Sequence, residues 1–170
     1  AASTVRGALN ATATTGDITD TGALAITGAS TFTVANGENI TLDSSGTYSS
    51  TVTFVPSAGT IASVTIDDST AFDIQALTTT GNLTVTAGGD ITDSGTLTIG
   101  GNLSATTDAN NGAISLGTLE VNGTIALTTN GNGAATIVND DGINFAASTV
   151  RGALNATATT GDITDTGALA

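Results

Sequence analysis

Residues 1–25 read AASTVRGALNATATTGDITDTGALA, and residues 146–170 repeat that string without a mismatch. A chain that returns to the same 25 residues after a period of 145 is asked to build the same local structure twice. Such a chain folds as an array in which each unit buries its apolar face against the next. One period and the start of another are present, which reads as a stretch of a longer covalent tandem array. Residues 1–170 are then a single continuous segment with open ends and no caps, and any leader lies outside it. The 146–170 stretch is expected to repeat the fold of 1–25 further along one axis.

A second period lies inside the first. GALNATATTGDITDTGALAITG at 7–28 resembles GNLTVTAGGDITDSGTLTIGG at 81–101, and AFDIQALTTTG at 71–81 resembles GINFAASTVRG at 142–152. Each period is thus two diverged halves, offset by about 71 to 74 residues. At the finest level, Leu83, Val85 and Ala87 alternate with Thr84 and Thr86, and a Gly-Asp turn follows at Gly89-Asp90. Alternation over four to six residues, punctuated by Gly, Asn, Asp and Ser, is the pattern of short half-buried strands. The pattern restarts near Gly7, Gly28, Thr51, Gly81, Gly101, Gly123 and Gly152, giving six restarts per period.

Three short strands per 20 to 30 residues make one coil of a right-handed parallel β-helix, a β-solenoid of about seven coils over the 170 residues. Coils stack at about 4.8 Å, so six of them advance roughly 29 Å. The inward set should include Leu9, Ile18, Leu24, Ile26, Leu83, Val85, Ile91, Leu97, Ile99, Ile114, Ile125 and Leu127. An antiparallel sandwich also uses short strands, but no Asn-Gly hairpin signal recurs at the spacing it needs.

Composition agrees with an all-β reading. Val, Ile, Leu and Phe supply 38 of 170 residues, just above the roughly 20% below which charged chains stay unfolded. Glu, Lys, Arg and Gln, the better helix formers, are nearly missing. The 15 acidic residues face only Arg6 and Arg151, for a net charge of −13. Nothing can neutralise phosphates, so neither nucleic acid nor anionic lipid is an expected partner. With no run of 18 apolar residues, no membrane insertion of this segment is expected. Cys and His are absent, which removes zinc, haem and iron–sulfur ligation along with Ser-His-Asp and Cys-His catalysis.

Strings such as GNLTVTAGGDITDSGTLTIGG and INFAASTVRGALNATATTGDITDTGALAITG resemble the β-strand repeats of giant bacterial surface proteins, the filamentous-haemagglutinin-type adhesins. That resemblance implies a right-handed parallel β-helical shaft on the outside of a bacterium. It covers essentially the whole chain and carries architecture rather than a catalytic signature.

The candidate sites are acidic. Asp17 and Asp20, Asp90 and Asp93, and Asp162 and Asp165 form pairs three residues apart at turns, a spacing at which two carboxylates can share Ca²⁺. The bland reading is that they accept turn N–H groups and keep the surface solvated. They recur too rarely for a continuous metal ladder, so no cofactor is expected and calcium should be dispensable. Asp67-Asp68 and Asp140-Asp141 are adjacent carboxylates at matching turns; their repulsion makes a bound cation conceivable, and a solvated acidic corner is the preferred reading. Asn82 and Asn102 fall at equivalent coil positions and can stack as a hydrogen-bonded ladder. They also belong to a set of Asn-x-Ser/Thr triplets at Asn10, Asn39, Asn82, Asn102, Asn122 and Asn155, which are glycan acceptors by pattern. The four Phe read as core fillers and Tyr48 as the exposed aromatic. Arg6 and Arg151 read as surface charges. A general acid–base pair needs a cleft and a polarising partner, and with one Arg per period and no Lys or His, an enzyme is not expected.

The expected function is therefore mechanical. The chain is a stiff shaft segment of a long extracellular filament or giant surface adhesin, with more of itself as its first partner and cell-surface glycans or other cells as further ones. Thr-x-Thr rows such as Thr84/Thr86, Thr96/Thr98 and Thr51/Thr53 leave a glycan- or ice-binding module as the alternative. A polysaccharide-degrading β-helix is the remotest reading.

Overall fold

A computed structural model describes residues 1–170. It contains strands and turns only, and every strand pair is parallel. The chain winds through about eight turns of a β-solenoid, with about 21 residues and three strands per turn.

The alternation in sequence becomes columns in space. Side chains of a strand point alternately to its two faces, so in-register stacking places like residues above like. Ile18, Ile40, Val64, Leu83, Leu103, Ile125 and Phe145 form one inward column. Leu42, Ile66, Val85, Ala105 and Leu127 form the next, two residues on. On another face Phe72, Ile91, Ile114, Ala135 and Leu154 are stacked, and on the third Leu77, Leu97 and Leu119. These columns interlock as one core of 32 buried apolar residues. Parallel strands of this kind have no hairpins, so each turn must return to its starting corner before it can pair.

Nine of the twelve residues read as inward are fully buried. Leu9 and Ile18 are half-buried because they stand in the first turn, where the core has a neighbour on one side only, and Leu24 is half-buried because only the small Ser3 lies beneath it. Phe32, Phe54, Phe72 and Phe145 are core residues. Tyr48 corrects the reading of an exposed aromatic. It is 4% exposed, meets Phe32 edge-on at 6.4 Å between ring centroids, and stands at an inward place at the end of the strand Ile40–Tyr48.

The turn count also differs. From Leu9 the same face is revisited at Ser30 and Val52, then at Phe72, Ile91, Ile114, Ala135 and Leu154. Leu154 is the repeat of Leu9, so one period makes seven turns rather than six. Stacked at about 4.8 Å, they advance about 34 Å. The glycine restarts miscount because Gly7, Gly28 and Gly152 precede strands of that face, whereas Gly81, Gly101 and Gly123 precede strands of another. Local pairing is the same in both copies, since Ser3 pairs Leu24 and Ser148 pairs Leu169.

One level of the stack is different. The sheet formed by Leu9–Thr12, Ser30–Val34 and Val52–Pro56 ends at Val52–Pro56. The next sheet on that side begins at Phe72–Ile74, with no ladder between the two. The face through Ile40–Tyr48 and Val64–Asp68 carries the backbone ladder across this level, helped by the bridge from Ile61 to Thr79.

Candidate functional site

The paired acids bracket short strands. In Gly89-Asp90-Ile91-Thr92-Asp93, Ile91 faces inward and pairs with Ile114 of the following turn. Asp90 lies at the corner before it and accepts the Ala113 N–H at 2.8 Å. Asp93 lies at the corner after it and accepts the Gly117 N–H at 2.9 Å, the Thr118 N–H at 2.9 Å and the Thr118 hydroxyl at 2.7 Å. At both corners the strand ladder is interrupted, and a carboxylate supplies the acceptor that the bending backbone cannot. Asp17 and Asp20 act alike around Ile18. Asp17 accepts the Asn39 N–H at 2.7 Å and Asp20 the Asp43 N–H at 3.1 Å. The Asn39 N–H holds the Asp17 carboxyl below the ordinary Asp value, as hydrogen bonds to the charged form do. Asp162 and Asp165 occupy the same places in the second copy and are exposed.

The corner before the continuous face is built from amides and hydroxyls. Asn82 N–H donates to Ser63 Oγ at 3.0 Å, Asn102 N–H to Asn82 Oδ1 at 2.8 Å, and Thr124 N–H to Asn102 Oδ1 at 2.9 Å. Asn82 and Asn102 are thus brought together on successive turns, each side chain receiving the backbone of the turn above. Glycine makes room here, since a Cβ on Gly101 would meet the Gly81 carbonyl carbon at 2.7 Å.

The reading of a solvated corner is corrected at Asp68, while Asp67 is half-buried in the outward row beside Thr86. Both close the strand Val64–Asp68, and Asp68 is fully buried. Its Oδ1 accepts the Thr70 N–H at 3.0 Å, the Thr70 hydroxyl at 2.9 Å and the Tyr48 N–H at 3.4 Å. Burial raises the Asp68 carboxyl above the ordinary Asp value against those hydrogen bonds, and raises Asp67 as well. Asp140 and Asp141 do lie exposed at a turn, where Thr159 and Thr160 hydroxyls engage them. The signal missed in sequence is positional: Val64, Ile66 and Asp68 share one parity, which puts the last of them inside.

No group of three or more acidic side chains gathers as a metal-holding cluster. The roomiest groove, about 490 Å³, is lined by Phe54, Pro56, Thr60, Leu77, Thr78 and Thr98 among others and presents no ionisable side chain. Arg6 and Arg151 are exposed.

A family described as repeats of unknown function (DUF5649) matches residues 1–55, 61–117 and 132–170. No curated protein and no solved structure matches the chain.

Proposed function

The chain belongs to the family of repeats of unknown function (DUF5649), and for it we propose a mechanical role, as a shaft segment of a long extracellular filament or giant surface adhesin of a bacterium. A single observation carries this reading. Two identical strings of 25 residues stand seven parallel turns apart with the same local pairing. Adding a period therefore adds seven rungs and changes nothing else. Stability accrues by nearest-neighbour contacts, as in other solenoids, and length becomes a count of repeats. The carboxylate and amide corners fasten each turn to the next, while the net charge of −13 opposes lateral sticking. The partner supported first is more of the same chain along the axis.

Chains of one, two and four periods, measured by small-angle scattering and electron microscopy, test the reading. The expected result is a constant cross-section and a length rising by about 34 Å per period. Particles that grow in width, or collapse into globules, would overturn it. Labelling of the native cell surface with an antibody to the repeat tests the location.

One observation favours a second reading. Thr86, Thr106, Thr128 and Thr149 form an outward column, and Thr41, Thr65 and Thr84 form another on the same face. Regular hydroxyl rows suit an ordered water or sugar surface, although Asp67, Ser104 and Ala126 interrupt these. Ice shaping by the purified chain, or binding on a glycan array, would support this reading, and silence in both would end it.

A further inference from the structure

Three buried oxygens have no hydrogen-bond partner at one corner of the stack: Asp20 Oδ2, Tyr48 Oη and Asp68 Oδ2. They come from three successive turns. Asp20 reaches up from the lower turn and spends its Oδ1 on the Asp43 N–H. Asp68 occupies the place directly above Gly46 in the ladder. Between them the Tyr48 ring lies back over Gly46, so closely that a Cβ there would meet Tyr48 Cε2 at 2.6 Å and Cζ at 3.0 Å. The phenol is thereby aimed away from solvent, and Asp20 and Asp68 are the two carboxylates whose charge bears most on it.

The corner is chemically unbalanced. Buried charges are paired or coordinate a metal, yet the chain offers only Arg6 and Arg151 as basic side chains. Tyr48 is 4% exposed and Asp68 fully buried, so bulk water does not screen them. A trapped water would complete the hydrogen bonds and a proton on Asp68, whose carboxyl burial raises, would remove one charge; a bound cation does both at once. The local backbone is also shaped for the purpose. Asp43, Ser44 and Ser45 form a bulge opposite Asp67 alone, with Ser45 at φ 35°, and this bulge carries Tyr48 past Gly46.

We propose that Asp20, Tyr48 and Asp68 bind one hard cation of the Ca²⁺ class inside the solenoid, with two carboxylates and a phenol oxygen as ligands from three turns. Carboxylate oxygens suit such an ion, which takes about six to eight oxygens in all, so water brought in with it fills the rest of its shell, and a cation held by three turns acts as a rivet between rungs. This site is distinct from the outward corners, whose Asp17, Asp90 and Asp93 carboxylates are engaged by backbone N–H groups.

The chain supplies its own probe, because it has one Tyr and no Trp. Terbium is titrated into chelator-stripped chain 1–170 while the phenol is excited. The expected result is sensitised emission that saturates at one ion per chain, is displaced by Ca²⁺, and is unaltered in Asp141→Asn. Asp68→Asn and Asp20→Asn are each expected to weaken binding by more than about tenfold. Far-UV circular dichroism confirms that the variants keep their strands, and if Asp68→Asn does not, Asp20→Asn decides alone. Absent emission, emission that never saturates, or unchanged affinity in the folded variants would overturn the proposal and leave a water-filled gap.

Discussion

GDITD occurs at residues 16–20, 89–93 and 161–165, and the first two copies sit on different faces of the solenoid. Ile18 belongs to the column that runs through Ile40, Val64 and Leu83, whereas Ile91 belongs to the column of Phe72 and Ile114. The geometry of the bracket is nevertheless conserved between them, with the first Asp accepting the N–H before the stacked residue and the second the N–H after it. The motif therefore encodes a way of joining a strand to the turn above, independent of the face on which it lands. The copies differ at their second carboxylate. Asp93 finds Gly117 and Thr118 and satisfies both oxygens. Asp20 finds the Asp43–Ser45 bulge, which returns a single N–H, and its Oδ2 is left buried without a partner.

The largest effect should come from the bracketed side chains. Ile91→Ala removes a fully buried residue and is expected to cost about 3 to 4 kcal/mol, within the range for core truncations. Ile18→Ala, at a half-buried place, should cost roughly half of that. Urea denaturation of the two variants measures the difference, and equal costs would mean that the first turns pack as tightly as the middle ones.

The second carboxylates come next. Asp93→Ala strands the Gly117 and Thr118 N–H groups and is expected to cost about 2 kcal/mol, the scale of hydrogen bonds to a charged acceptor. Asp20→Ala, measured in chelator, should cost less than about 1 kcal/mol, because it removes one hydrogen bond along with an orphaned oxygen.

A smaller contrast is set by pH. The Asp68 carboxyl is raised by burial, so the folded chain takes up that proton more readily than the unfolded one. Its contribution is full below the ordinary Asp value and is lost as pH rises through the raised one. Asp68→Asn in chelator should therefore gain about 1 kcal/mol at neutral pH and lose the advantage on acidification. Asp17 runs the other way. Its lowered carboxyl contributes above the ordinary Asp value, and that contribution is lost as pH falls through the lowered one. Denaturation midpoints between pH 3 and pH 8, about the span over which carboxylates titrate, separate the two signs. The smallest change is expected for Asp17→Asn, which keeps an acceptor before the Asn39 N–H; a large drop would show that charge rather than hydrogen bonding holds that corner.

The columns were legible because alternation is a local property. Leu83, Val85, Leu97 and Ile99 show their parity within a few residues, and parallel stacking needs nothing more. The turn count was less legible because glycines mark corners without saying which corner. Tyr48 and Asp68 were hidden for a different reason. The bulge at Asp43–Ser45 inserts residues opposite a single one in the next turn, so the inward parity of Tyr48 depends on a partner some twenty residues away. Asp68 continues a visible alternation with Val64 and Ile66, and its charge is what made the inside place look wrong.

The unpaired level between Val52–Pro56 and Phe72–Ile74 has a consequence for a fibre. Bending a stack of rungs loads every ladder on the stretched side, and where one side has no ladder the resistance falls to side-chain packing. Flexure concentrates at that level. A tandem array would then behave less like a uniform rod than like a row of rigid blocks, each about 34 Å long, with a compliant joint at the same place in every period.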